Sequence, residues 1–134
     1  MNRLAVAATL MAAALSSSAV VPANAGGAGH LPRPGIKSSD YRVASGEQFI
    51  VHGRIKLGYN EDEIPAPPST VQVQTRRHGD WTNVRGARVK SKENGRYRVR
   101  VILRMRGERK LRVHTKTPGF FKWVNSRTIT EHVR

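Results

Sequence analysis

Residues 96–106 (RYRVRVILRMR) alternate between apolar and basic side chains over almost their whole length. A period of two is typical of a β-strand with one face buried in a core and the other in water. On the outer face, the arginines would lie about 6.6 Å apart. Like charges repel one another, so folding alone does not favour such a row. We therefore expect this strand to organise the core on one side and to carry a functional surface on the other.

The N-terminal end has the layout of a secretory signal peptide. Arg3 precedes an apolar run over residues 4–15, and an Ala-Asn-Ala sequence with the form of a cleavage site ends at Ala25. We predict a signal peptide over residues 1–25 that is cleaved after Ala25, so that the mature protein is secreted. An uncleaved anchor is the alternative, since the apolar run can be extended to Val21. No later stretch is long and apolar enough to span a membrane, and we expect no integral span in the mature chain.

Residues 26–40 are rich in Gly and Pro and show no apolar period, which predicts a flexible leader. Over residues 41–134, short alternating segments are separated by turn-forming sequences such as Asn94-Gly95. No segment of the mature chain has a helical period, so we predict one all-β domain, an antiparallel sandwich or small barrel of seven or eight short strands. Gly53 falls on an inner face, which predicts a bulge or a close approach of another segment. Trp81 is the expected central core residue.

The charge balance of the chain favours anionic partners. The 134 residues include 24 Lys and Arg against 9 Asp and Glu, giving a net charge of +15. Arg3 is the only charged residue of the predicted signal peptide, so the mature chain carries about +14. Such a field attracts anions and opposes binding to other cationic surfaces. The chain has no Cys, so its stability must come from packing and β-ladders without disulfides.

Four segments, TVQVQTRRHGDW, ENGRYRVRV, RKLRVHT and SRTITEHV, resemble strands of small immunoglobulin-like or fibronectin-III-like β-sandwich domains of secreted bacterial proteins. The resemblance covers residues 46–134. It implies a single immunoglobulin-like antiparallel β-sandwich of about seven strands, with a role in binding, adhesion or spacing and no catalytic residues. The chain departs from true immunoglobulin domains in lacking a Cys pair across the sheets, and Val99 stands where a Tyr-x-Cys sequence would place its cysteine.

The sequence leaves two connections open for the central strand. A simple hairpin between residues 96–106 and 109–115 would place both basic rows side by side on one broad sheet. An immunoglobulin-like connection would send the second strand to the other sheet, and the basic residues would then face water on two surfaces.

We predict a polyanion-binding site on the outward basic side chains of these two segments. Arginine presents a planar fork that suits phosphate, sulfate and carboxylate groups. The predicted residues are Arg96, Arg98, Arg100, Arg104, Arg106, Lys110 and Arg112. Candidate ligands are a wall phosphate polymer, a sulfated glycan, nucleic acid or an anionic lipid surface. The alternative is a solvated face that only prevents edge-to-edge aggregation.

A second candidate surface is the aromatic segment that contains Phe120, Phe121 and Trp123. Exposed, it would bind a protein partner or a sugar ring; buried, its rings would close one end of the sandwich. The alternative function is therefore a protein-interaction or adhesion and spacer module without a polyanion ligand.

No pattern of catalytic or metal-binding residues accompanies these surfaces. The five histidines show no metal-ligand spacing, and no nucleophile elbow or phosphate-cradling glycine loop is present. Residues 61–63 (EDE) form the only acidic cluster of the sequence, which we interpret as a solvated loop that can face the basic surface, and not as a calcium site. We predict a noncatalytic protein without cofactor or metal.

Overall fold

The computed structural model describes residues 31–58 and 63–134. The predicted signal peptide, the start of the predicted leader and most of the acidic cluster lie outside these residues. Residues 32–57 and 63–134 form one compact unit. The described ranges contain no helix that is long and apolar enough to cross a membrane.

Eleven strands are present within the described residues, and six of them are five residues or longer. In chain order they are β1 Arg33–Pro34, β2 Lys37–Ser38, β3 Arg42–Val43, β4 Gln48–Leu57, β5 Ile64–Pro65, β6 Thr70–Arg77, β7 Asp80–Lys90, β8 Arg96–Ile102, β9 Gly107–Lys116, β10 Val124–Asn125 and β11 Ile129–Val133.

The strands form two sheets. In the six-stranded sheet the order is β3-β11-β9-β6-β7, with β10 paired to β9. In the five-stranded sheet, β4 is the central strand: β8 and β5 pair along one edge, and β1 and β2 pair along the other. All pairs are antiparallel except β3 with β11. The all-β prediction is therefore confirmed, although short edge strands raise the strand number above seven.

The core lies between the two sheets and follows the alternation of the sequence. Val51 of β4 and Val99 of β8 are directly opposed and buried. On the other sheet, Val73 of β6 opposes Val113 of β9, and both are fully buried. Burial of such apolar side chains is the main favourable term in the stability of the domain.

The connection after β8 takes the immunoglobulin-like course, since β8 and β9 lie in different sheets. The strand ends at Ile102, earlier than the sequence predicted. Leu103 remains buried and its carbonyl accepts a hydrogen bond from the Gly46 amide at 2.9 Å. The chain then turns away, and Met105, predicted to face the core, is 44% exposed. The backbone pairing of Leu103 with the loop before β4 thus ends the strand four residues before the predicted end at Arg106.

Residues 26–40 were predicted to form a flexible leader. The structure instead shows two short strands within this range, β1 and β2, which pair with one edge of β4. The carbonyl of Gly35, between the two strands, accepts a hydrogen bond from the Tyr97 hydroxyl at 2.5 Å. Burial raises the pKa of Tyr97, so the phenol stays protonated and keeps its donor. The close approach predicted at Gly53 is confirmed, because Gly35 crosses directly over it.

Trp81 was predicted as a central core residue, and this is wrong. The register of β6 and β7 places Trp81 opposite Arg76, on the outer side of the six-stranded sheet. Its ring is partly exposed. The pairing partner of β7, and not the size of the aromatic ring, decides which side the ring faces.

Candidate anion-binding site

The arginines of β8 form an outward row. Arg96, Arg98 and Arg100 are exposed, and the residues between them are buried in the core. The alternation of side chains along a strand is sufficient to orient these arginines, because successive side chains point to opposite faces of the sheet.

The register with β4 extends this row across the five-stranded sheet. Arg54 lies directly opposite Arg96, and His52 lies opposite Arg98. On the far edge, Lys37 opposes His52. Directly opposed residues share a face of the sheet. We call this surface the basic face; its cations are Arg33, Lys37, Arg54, Lys56, Arg96, Arg98 and Arg100.

An open cavity of about 840 Å³ lies on the basic face. The six basic-face cations other than Arg100 line the cavity, together with Lys92 and His52. Among the described residues that line it, Glu63 is the only carboxylate. Its carboxylate pairs with Arg33, and its Oε1 lies 3.7 Å from Lys56 Nζ. The cavity therefore concentrates positive charge in a concave surface, where field lines are focused.

The central arginines of the cavity have no such counterion. Within residues 31–58 and 63–134, no carboxylate lies within ion-pair distance of Arg54, Arg96 or Arg98. The Nε of Arg54 donates to the Asn94 carbonyl at 3.3 Å. Opposed like charges such as Arg54 and Arg96 cost a few tenths to about 1 kcal/mol. A bound anion would remove this repulsion.

The structure separates the predicted site residues. Arg96, Arg98 and Arg100 lie on the basic face, whereas Arg104 and Arg106 lie in the exposed loop after β8. Lys110 and Arg112 belong to the other sheet.

On that sheet, the Lys110 Nζ donates to the Thr130 Oγ1 at 2.8 Å. The Arg112 Nε donates to the Gln74 Oε1 at 2.9 Å. A single site containing all seven predicted residues is thus not formed.

Sequence reasoning missed four members of the basic face. Arg54 and Lys56 could have been found, since they alternate outward along β4 as the arginines do along β8. Arg33 and Lys37 could not, because their segment has no strand pattern and is held in place by tertiary contacts, among them its pairing with β4 and the Tyr97 hydrogen bond to Gly35.

The aromatic segment lies in the loop between β9 and β10. Phe121 is 98% exposed, and Phe120 is half-buried. The Trp123 ring stacks on His114, with 4.4 Å between ring centroids and 5° between planes. The Phe121 ring is therefore exposed, the Phe120 ring is partly covered, and the Trp123 ring lies against His114 on the outer side of β9.

Comparison with known proteins gives matches only among solved structures. No family model and no curated protein sequence matches the chain. The D00-D0 domain of intimin superimposes with a TM-score of 0.50 and 9% identity, over 85% of this chain and 53% of that one. The chain has an immunoglobulin-like β-sandwich fold.

Two further structures match the immunoglobulin-like domain less well. The CARDB domain of the PF1109 protein from Pyrococcus furiosus, solved in complex with di-metal ions, has a TM-score of 0.48 and 11% identity, over 78% of this chain and 93% of that one. The D0-D1 domain of intimin has a TM-score of 0.41 and 13% identity, over 75% and 49%. The chain therefore spans about half the length of both intimin structures. Within the described parts of the immunoglobulin-like domain, no three His, Cys, Asp or Glu side chains cluster as metal ligands do.

Proposed function

We propose that the immunoglobulin-like domain is a secreted, noncatalytic module that binds an anionic polymer or surface through the basic face. The observation that carries this proposal is the register of β4 with β8. It sets Arg54 beside Arg96 in an open cavity, with no carboxylate of the described residues within ion-pair distance of either.

Rigid placement of the arginines supports polymer binding over mere solubility. Charges that only keep a protein soluble can be spread over its surface, whereas these are gathered on adjacent strands. Each guanidinium can hold a phosphate or sulfate in bidentate geometry. A strand keeps successive forks at about 6.6 Å, so an extended anionic chain can contact several of them at once.

The test is the variant Arg54→Gln, Arg96→Gln, Arg98→Gln, compared with wild type on immobilised heparin and on duplex DNA. We expect elution from heparin at lower salt. On DNA, loss of three phosphate contacts should make the slope of log affinity against log salt shallower by about 2 to 3.

The control variant, Arg42→Gln, Arg77→Gln, Arg134→Gln, removes the same charge from exposed positions outside the basic face. It should elute close to wild type, with a small shift from the lower net charge. If both triple variants shift equally, binding depends on overall charge and the basic face has no special role.

The exposure of Phe121 favours a second candidate function, binding of a protein through the aromatic loop. A fully exposed aromatic ring loses water contact on binding, and such contacts are insensitive to salt or slightly strengthened by it. Under this alternative, Phe121→Ser should abolish capture of the partner while heparin elution stays unchanged. Salt between roughly 50 and 200 mM separates the two functions, since only polyanion binding falls steeply in that range.

A further inference from the structure

The outer side of the six-stranded sheet carries a second group of cations around Trp81. We call it the tryptophan face; it comprises Arg76, Trp81, Arg88, Lys110 and Arg112. Because the core lies between the sheets, the tryptophan face and the basic face point away from each other. The two cannot form one continuous binding surface.

Two arginines of the tryptophan face are held by buried glutamines. Gln72 is 4% exposed, and its Oε1 accepts from the Arg88 Nε at 3.0 Å. Gln74 is 8% exposed, and its Oε1 accepts from the Arg112 Nε at 2.9 Å. Both guanidinium groups are therefore anchored at one nitrogen.

The glutamines are themselves fixed by their amide nitrogens. Gln72 Nε2 donates to the carbonyls of Val84 and Ala87, beside the bulge where β7 slips against β6, at 3.1 and 3.2 Å. Gln74 Nε2 donates to the Asn83 Oδ1 at 3.0 Å. These bonds determine which amide atom faces each arginine, so the arginines are oriented before any ligand arrives. Such preorganisation reduces the entropy that binding must overcome.

The terminal nitrogens of these arginines remain available for a ligand. Across the described ranges, no protein acceptor bonds the Nη atoms of Arg88 or Arg112. The Arg112 guanidinium carbon lies 4.3 Å from the Trp81 ring centroid, and that of Arg76 lies 5.9 Å away. Burial and the charge of Arg76 lower the pKa of Arg112, as expected for a cation that lies beside another cation.

We propose that the tryptophan face is a second anion-binding surface, so that one domain bridges two phosphate- or sulfate-bearing polymer chains. The bridging rests on the proposed function of the basic face, which holds the first chain. Sheets pack about 10 Å apart, and side chains on both outer faces add to this distance. A chain lying along one face therefore leaves the other face free for a second chain.

A two-layer capture experiment tests bridging. The protein is bound to immobilised heparin, washed, and then exposed to fluorescent heparin or, in a parallel arm, to fluorescent polyphosphate. Wild type should capture the second layer. The variant Arg76→Gln, Arg88→Gln, Arg112→Gln should stay on the sensor through the basic face but capture roughly 10- to 100-fold less, as the loss of about three ionic contacts implies.

The variants separate failure of the two ideas. If the tryptophan-face variant captures as much as wild type, the second surface is overturned, whatever the basic-face variant does. If the basic-face variant keeps wild-type retention on heparin, the proposed function falls instead.

A second tryptophan-face variant, Arg76→Gln, Arg88→Gln, Lys110→Gln, leaves the Arg112–Trp81 contact in place and replaces the first variant if that one unfolds. Capture of polyphosphate alone assigns a phosphate polymer, capture of heparin alone assigns a sulfated glycan, and capture of neither by wild type overturns bridging.

Discussion

Replacing Glu131 with Gln is expected to remove about 2 to 3 kcal/mol of pH dependence from the free energy of unfolding between pH 5 and pH 8. Glu131 lies on β11 with its side chain on the inner face and is 0% exposed. Neither carboxylate oxygen has a hydrogen-bond partner among the described residues. The change is to be measured by urea unfolding of both proteins at the two pH values.

The direction follows from the pKa of this carboxyl. Burial raises the pKa of Glu131 from 4.5 to about 7, and the negative charge of Asp40 adds to the rise. The Ser38 hydroxyl opposes it only in part, because it donates its hydrogen bond to the Asp40 carbonyl and not to Glu131. When the pKa of a carboxyl is higher in the folded state than in the unfolded state, its full contribution to stability is present below the pKa of the unfolded state. That stabilisation is lost as the pH rises through about 7. Wild type should therefore become less stable from pH 5 to pH 8, whereas the variant should lack this component.

Two further variants complete this experiment. Glu131→Met puts an apolar side chain of similar size beside Ile129 and should exceed wild type in stability most clearly at pH 8. Glu93→Gln changes an exposed carboxylate that has no ion-pair partner within the described residues, and it should leave the slope unchanged. Arg109 lies opposite Glu131 in the β-ladder, but its Nη1 contacts the Met105 sulfur at 3.8 Å. If Glu131→Gln lowers stability more at pH 8 than at pH 5, Arg109 pairs with Glu131 in solution and the prediction is wrong.

Gly53→Ala should destabilise the domain by about 1 to 3 kcal/mol, as overpacking of a close contact does. A Cβ on Gly53 would lie 2.3 Å from the Gly35 carbonyl oxygen and 2.9 Å from the Tyr97 hydroxyl. The backbone of Gly35 cannot yield without weakening the Tyr97 hydrogen bond. The free energy of unfolding in urea, compared with wild type, measures the cost.

Gly35→Ala is the matched control, because it makes the same chemical change on the other side of the same contact. Its Cβ would meet the nearest atom, the Arg54 carbonyl oxygen, at 3.6 Å, an ordinary contact. Both variants lose the same chain entropy in the unfolded state, so their difference reports the contact itself. Equal stability of the two variants would show that β1 and β2 can move off β4. Since Arg33 and Lys37 are held by that pairing, Gly53→Ala should also lower heparin retention.

Particular elements show how far sequence reasoning reached. The alternation of β8 predicted which side chains enter the core, and the glycine on the inner side of β4 predicted a close approach. The same reasoning placed Trp81 in the core, although register puts it outside. It also treated residues 33–38 as flexible, because two-residue strands leave no periodic signal and form only when a partner strand supplies their hydrogen bonds.

The sequence by itself determined the two faces of β4 and β8, since side chains alternate along an extended backbone whatever its neighbours are. It did not determine those of β7, whose register with β6 shifts at a bulge. Only the tertiary structure decided which basic rows lie together. Backbone hydrogen bonds pair strands without regard to side-chain identity, and Arg54 meets Arg96 across more than forty residues of chain. The same pairing sent Arg112 to the opposite surface of the molecule, beside Trp81 and away from the arginines of β8. Charge and strand pattern can be read from the local sequence, whereas the composition of a binding face depends on the register in which the strands pair.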